Sequence, residues 1–307
     1  MIALVALTAV VGGTILRVPV QNPTGTQPNA TTSGEASTRP SPKGTASGTV
    51  QHTIWVWLEN RRAGAVTPAT MPYLTSLAST YGHAANYYAI GHNSELNYVA
   101  AVAGQHGGVT DGTTGIAFRS LWDQLAGNWR AYQQDIGANG CTVAATIRGP
   151  IDGPGLLGTY VLRHNPATVF ADIAGGLCRG HIFGLARFDP AAAAFTFVTP
   201  NLTNDAHDGT LAQADAFLRG FVPEVTSAPD FARTMLVVTF DEGTTSTGSN
   251  GDTGGRIFTV VVAPWLHGLA SSRYYDHYSL LRTVESVFGL PCLAHACDHP
   301  VMTDFLP

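Results

Sequence analysis

Carboxylates placed directly behind hydrophobic runs are the first chemistry this sequence offers. His52–Leu58 (HTIWVWL) runs straight into Glu59-Asn60, and Thr234–Phe240 (TMLVVTF) runs straight into Asp241-Glu242. If the two runs are neighbouring strands, three carboxylates and one amide converge on one sheet edge. Such a set repels itself unless a cation compensates, and an all-oxygen set suits a hard divalent ion. The competing reading is that each pair only caps the helix or loop behind it.

A hydroxyl stands at a second promising position. Gly91-His92-Asn93-Ser94-Glu95-Leu96-Asn97-Tyr98 is a polar turn leading into the apolar stretch Val99–Ala103. A serine at a helix N-terminus lies in the positive end of the dipole, beside free N–H groups that hold a phosphoryl oxygen and stabilise an alkoxide. The plainer alternative makes Ser94 an N-cap, with Asn97 where a capping-box partner would stand. Three histidines follow in polar turns. His164 lies in Arg163-His164-Asn165-Pro166, His207 in the loop Asn201–Asp208 (NLTNDAHD), and His277 opens the last helical pattern. A lone histidine is more often structural than catalytic, but two, His164 and His207, in turns rich in Asn and Asp are harder to dismiss. The sequence contains no G-x-S-x-G elbow, Walker A loop, G-x-G-x-x-G fingerprint or H-E-x-x-H pair, so lipase-type and P-loop chemistry lack local support.

The elements needed to position these groups are legible as alternating patterns. His52–Leu58, Cys141–Ile147, Thr234–Phe240 and Ile257–Ala263 are nearly continuous apolar runs, the signature of strands covered on both faces. Helical patterns fall over Pro72–Tyr81, Leu96–Ala103, Leu121–Leu125, Ala167–Ile173, Leu211–Phe221 and His277–Phe288. This alternation predicts a three-layer α/β/α sandwich with a mostly parallel central sheet. Open sheets of that kind bind ligands beyond the carboxyl ends of their strands, where both acidic pairs stand.

Composition bounds the rest. Hydrophobic residues make up 45% of the 307 and charged residues 12%, enough for a large core. Sixteen Lys and Arg against 21 Asp and Glu leave no positive excess for a phosphate backbone, which disfavours nucleic acid as a partner. Met1–Leu16 is an uncharged apolar run, shorter than a comfortable membrane span. The expectation is a signal peptide or signal-anchor over residues 1–20, a disordered Ser/Thr/Pro-rich linker over 21–49 and one catalytic-size domain over 50–307. Export would make the chain secreted or tethered to a membrane through its N-terminal segment. The even cysteine count agrees with export: Cys292 and Cys297 could close a small loop, and Cys141 and Cys178 would then form a second bridge, the alternative being four buried free thiols.

Six segments, in this order, resemble the bacterial phosphoesterase family of acid phosphatases and phospholipases C, a branch of the alkaline phosphatase superfamily. They are WLEN at Trp57–Asn60, HNSELNY at His92–Tyr98, RHNP at Arg163–Pro166, PNLTNDAHDG at Pro200–Gly209, VVTFDEG at Val237–Gly243 and HYSLLRTVE at His277–Glu285. The resemblance implies an alkaline phosphatase-like fold and metal-dependent hydrolysis of phosphate esters through a phosphoserine. It implies Ser94 as nucleophile and a divalent metal ion held by Glu59, Asn60, Ser94, Asp241 and Glu242. It further implies phosphate oxygens held by Asn97, His164 and His207, with the two histidines also catalytic. Asp205 and Asp208 share the motif of His207 and are read as its supports. The implied substrate is a small phosphorylated compound, with a phospholipase C-type diesterase or a non-catalytic surface protein as alternatives. Two segments depart from the family pattern. Arg61-Arg62-Ala63-Gly64 replaces the usual continuation after the first motif, and Asn93, Glu95 and Leu96 replace a proline-containing stretch around Ser94. Glu95 thereby sets a carboxylate beside the nucleophile.

Overall fold

The computed structural model describes residues 50–138, 140–149, 158–243 and 254–307. The leader and linker expected over residues 1–49 lie outside the described residues.

The strands in chain order are β1 (His52–Leu58), β2 (Gly82–Tyr88), β3 (Trp129–Gln133), β4 (Thr146–Gly149), β5 (Gly158–Val161), β6 (Ile182–Gly184), β7 (Phe195–Thr199), β8 (Thr234–Phe240), β9 (Arg256–Val262), β10 (Leu269–Ser271) and β11 (Tyr275–Asp276). The helices are α1 (Pro72–Thr80), α2 (Ser94–Ala103), α3 (Leu121–Gln124), α4 (Ala171–Ala174), α5 (Leu211–Thr226) and α6 (His277–Val287). The main sheet has nine strands in the order β10-β2-β9-β8-β1-β7-β3-β6, with β11 also paired to β2. Among the described strands of that sheet only β9 runs against the rest, antiparallel to both β8 and β2. Helices flank the sheet, giving the mostly parallel three-layer fold that the alternation predicts.

The central pair, β1 and β8, runs in register from His52↔Thr234 to Leu58↔Phe240. Both strands are buried almost throughout because neither face reaches water, which is why their sequences show no polar alternation. Alternate residues Trp55 and Trp57 carry an aromatic layer. Trp55 meets Phe195 edge-on at 4.7 Å between ring centroids, and Trp57 lies 4.8 Å from Tyr98 of α2 and 4.6 Å from His277 of α6. Rings of this size dominate core energetics; truncating one costs about 3–5 kcal/mol.

Two expectations are corrected. The Cys141–Ile147 run is not a sheet strand: only its end enters β4, which pairs with β5 as a separate two-stranded ribbon. Val143 is 61% exposed, so its β-branched neighbourhood had no apolar layer to join. The helical pattern over Ala167–Ile173 condenses to the short α4, because Asn165, Ala167 and Phe170 carry turn hydrogen bonds instead. Both expected disulfides are present, Cys141–Cys178 and Cys292–Cys297. The second tightens a loop that lies against the end of α2. Gly104 closes that helix in the left-handed region (φ 68°), and its carbonyl accepts the His295 N–H at 2.9 Å. A Cβ there would fall 2.1 Å from the Leu293 carbonyl oxygen, so glycine is required both for the turn and for the close approach.

Candidate active site

Four chain segments leave the same edge of the sheet, after β1, β8, β7 and β2, and a fifth joins them from the β4–β5 ribbon. Leu58 and Phe240 end adjacent strands, so Glu59 and Asp241 emerge side by side, with the Asp241 N–H bonded to the Leu58 carbonyl at 2.9 Å. The loop after β7 returns Asp205 to the same place, where its carbonyl accepts the Glu59 N–H at 2.8 Å. The turn after β5 brings His164, and the turn after β2 delivers α2 with Ser94 at its first helical position. Three of these turns carry non-glycine residues at positive φ, namely Asn60 (48°), Asn93 (119°) and Ala206 (76°). Such conformations are strained and persist only where the surrounding structure holds them.

The cap of α2 is Asn93, whose side chain accepts from Leu96 N. Ser94 is therefore released from capping, and its hydroxyl donates to Glu59 Oε2 at 3.1 Å. The other Glu59 oxygen accepts from the buried Tyr98 phenol at 2.6 Å. His164 is sandwiched between two carboxylates, with Nε2 3.3 Å from Glu59 Oε1 and Nδ1 3.3 Å from Asp205 Oδ2, and its ring stacks on Tyr98 at 5.4 Å. The Asn60 N–H donates to Asp241 Oδ1 at 2.8 Å, and its amide Nδ2 donates to Glu59 Oε2 at 3.3 Å.

Burial dominates the electrostatics. Glu59 and Asp205 are pushed well above the usual carboxylate range by desolvation, reinforced in both by the facing Asp241 charge. Asp241 is raised to about 7 by burial and then by Glu242. Burial, and after it the charge of Arg163, holds His164 well below its ordinary value, so its ring is neutral. His207 Nδ1 lies 2.7 Å from Asp208 Oδ1, an acceptor only, so that nitrogen carries the proton. Its Nε2 accepts from the Arg163 guanidinium at 3.2 Å.

The donor set fits a divalent cation. Asp241 Oδ2, Asp205 Oδ2 and both ring nitrogens of His164 are buried without hydrogen-bond partners, a costly state for polar atoms unless something else satisfies them. Glu59, Asn60, Ser94 and Asp241, four of the five expected ligands, are gathered here. A second set, Glu59, His164 and His207, offers ligand atoms within 4.8 Å of one another.

Glu242, the fifth, also braces the turn before Ser94: its Oε2 accepts from the Asn93 N–H at 2.9 Å and lies 3.0 Å from His92 Nδ1. Asn97 differs from the expectation that it holds phosphate. Its Oδ1 accepts from the Ile90 and Gly91 N–H groups at 2.9 and 3.1 Å, and its Nδ2 donates to the Gly91 and Asn93 carbonyls at 2.8 and 3.2 Å. The amide is fully committed to folding the turn. Tyr98 and His277 are the groups that sequence reading gave no role. His277 donates through Nε2 to the Asp241 carbonyl at 2.6 Å and accepts the Tyr87 hydroxyl at Nδ1. Burial lowers its pKa to about 4, so it acts as a neutral brace for the Asp241 backbone. The signal for Tyr98 was its position four residues after Ser94, which places both on one helix face.

By its family and its relatives the chain that carries this site is a phosphoric ester hydrolase. The chain belongs to the Phosphoesterase family, whose model matches residues 48–291. It is 30% identical over 264 residues to a phosphatidylinositol-3-phosphatase of Mycobacterium tuberculosis, covering 83% of each chain. It is 29% identical over 256 residues to a phosphate-repressible acid phosphatase of Penicillium chrysogenum, covering 78% of this chain and 59% of that one. Among solved structures, a protein of the alkaline phosphatase superfamily from Vibrio parahaemolyticus shares the fold with a TM-score of 0.55 at 13% identity, over 84% of this chain and 73% of that one.

Proposed function

We propose that the chain is an acid phosphatase-like phosphomonoesterase in which Ser94 Oγ attacks phosphorus. The observation that carries this reading is the Ser94 hydroxyl at the first position of α2, 3.1 Å from a fully buried carboxylate. Glu59 Oε2, accepting from the Ser94 hydroxyl at 3.1 Å, aims Oγ for attack; the Oγ–P bond forms as the ester P–O bond breaks, and the hydroxyl proton leaves to solvent. The α2 dipole and the neighbouring N–H groups favour the extra negative charge. A divalent cation held by Glu59, Asn60, Ser94 and Asp241 would supply charge neutralisation on the phosphoryl oxygens. His164, sealed and neutral, orients those oxygens. His207, 27% exposed, is the candidate to protonate the leaving alkoxide, taking a proton from solvent at Nε2 before giving it up there. Water then hydrolyses the phosphoserine. The names of the curated relatives, phosphatases of monoesters among them, favour monoesters over phospholipase C-type diesters.

Export is part of the same reading, supported by the two disulfides and the apolar leader, since such bonds persist in oxidising compartments. The test of activity is hydrolysis of an aryl phosphate by wild type and Ser94→Ala after metal loading. A fall of at least about a thousandfold is expected; near-normal turnover by Ser94→Ala refutes the nucleophile.

A further inference from the structure

The departures around Ser94 have a structural consequence. Glu95 is buried, and its Oε2 points away from Ser94 to accept the Gly112 N–H at 2.6 Å. That bond draws the loop Val109–Thr113 onto the start of α2. Asp111 then presents Oδ1 to the Glu95 N–H at 3.3 Å, a helix N-terminal donor, and Oδ2 to Arg163 Nε at 3.6 Å. Arg163 in turn donates to His207 at 3.2 Å. Its charge is felt by His164, Asp205 and Glu95, and both nitrogens of His164 are buried without a hydrogen bond.

A carboxylate of the chain thus occupies donors that an incoming phosphoryl group needs: an N–H of the nucleophile's own helix and the nearest guanidinium. We propose that Asp111 is a built-in competitor of the substrate, and that a phosphoryl dianion displaces it from Arg163 and from the α2 N-terminus. This rests on the reading of Ser94 as the phosphoryl-accepting residue. Arg163 becomes a substrate-binding residue in the displaced state, donating to two unesterified oxygens as guanidinium forks do. Displacement is feasible because the Asp111 side chain is 46% exposed and its pairing with Arg163 is long. The ligand class is a tetrahedral oxyanion with at least two free oxygens. A monoester or inorganic phosphate meets that requirement with two charges, whereas a diester brings one and gains less from the exchange.

The test uses inorganic phosphate as the probe, measured by calorimetry and as a competitive inhibitor of aryl phosphate hydrolysis, on the metal-loaded full chain. Asp111→Asn should tighten phosphate binding about 3–10-fold and lower KM for the monoester. Arg163→Gln should weaken phosphate about 10–100-fold and raise KM more than it lowers kcat, with partial recovery in Arg163→Lys. The double variant should regain over Arg163→Gln only part of the gain that Asp111→Asn brings to the wild type, because without the guanidinium Asp111 still competes for the Glu95 N–H. For an aryl diester both single variants should shift KM less than threefold. Circular dichroism and thermal midpoints establish that each variant is folded. Shifts of phosphate affinity in the same direction for Asp111→Asn and Arg163→Gln overturn the proposal, as does an unchanged affinity in Asp111→Asn. If the wild type turns over no monoester, the functional reading falls, while the calorimetric affinities still decide the competition. No phosphate binding by any form overturns both.

Discussion

Replacing Glu285 by glutamine should change the pH dependence of stability in a calculable way. Glu285 lies in α6 with no exposed surface, and its Oε1 accepts the Leu293 N–H at 2.7 Å, which holds the Cys292–Cys297 loop against the helix. Its Oε2 is buried without a hydrogen bond, and Arg282 approaches only to 3.7 Å. Burial raises the carboxyl from its ordinary 4.5 to about 7, overcoming the opposing Leu293 N–H and Arg282. An acid with a raised folded-state pKa costs nothing while both states are protonated, below about pH 4.5. The cost grows as pH rises and is complete once the folded form also ionises, above about pH 7. At about 1.4 kcal/mol per pH unit of separation, the full cost is about 3 kcal/mol. Glutamine keeps the acceptor oxygen and does not titrate. The assay is urea unfolding of wild type and Glu285→Gln from pH 4.5 to 8. The stability of the variant relative to wild type should increase by about 3 kcal/mol across that range, whatever constant offset the new amide introduces. A difference flat to within about 0.5 kcal/mol would refute the reasoning.

Other outcomes follow from the same packing. Gly104→Ala places a Cβ 2.1 Å from the Leu293 carbonyl at φ 68°, in a segment that the disulfide prevents from yielding. A loss of about 3 kcal/mol or more is expected in denaturant titrations, shrinking when Cys292–Cys297 is reduced. Tyr98→Phe removes a 2.6 Å hydrogen bond to Glu59. Bonds to charged groups are worth about 1.5–3 kcal/mol, so kcat/KM for an aryl phosphate should drop at least about tenfold, and an unchanged value would show that the phenol does not hold Glu59 for catalysis. Exhaustive chelation should abolish turnover and lower the thermal midpoint by about 5–10 °C, with recovery on metal add-back at a hundred times Kd. Identical midpoints with and without every divalent ion tried would count against a cation site.

The sheet centre was legible because its physics is local. β1 and β8 are continuous apolar runs, and carboxylates immediately behind them had only one sheet edge to occupy. β9, read as Ile257–Ala263, was legible in the same way, and the other strands were harder. β2 reads Gly-His-Ala-Ala-Asn-Tyr-Tyr, with polar residues at half-buried positions, and it owes its conformation to pairing with β9, β10 and β11 rather than to its own propensity. The run at Cys141–Ile147 had the composition of a strand without a neighbour to cover it. Within the site, the doublet Asp241-Glu242 could not reveal that one acid turns inward and the next turns to His92, since that depends on the turn before Ser94. Asn97 was misplaced for the same reason: its four hydrogen bonds exist only once residues 90–93 have folded over it. The reach of Asp111 across 16 residues to Glu95 leaves no periodic trace in the sequence at all.

The phosphorylated state of Ser94 is the most direct thing to measure. Metal-loaded enzyme mixed with an excess of aryl phosphate and quenched in acid during steady turnover should yield, by peptide mass spectrometry, a phosphoryl group on the peptide containing Ser94 and on that serine alone. An active enzyme that carries the phosphoryl group on another residue, or on none across the full range of quench times and pH, would contradict attack by this hydroxyl.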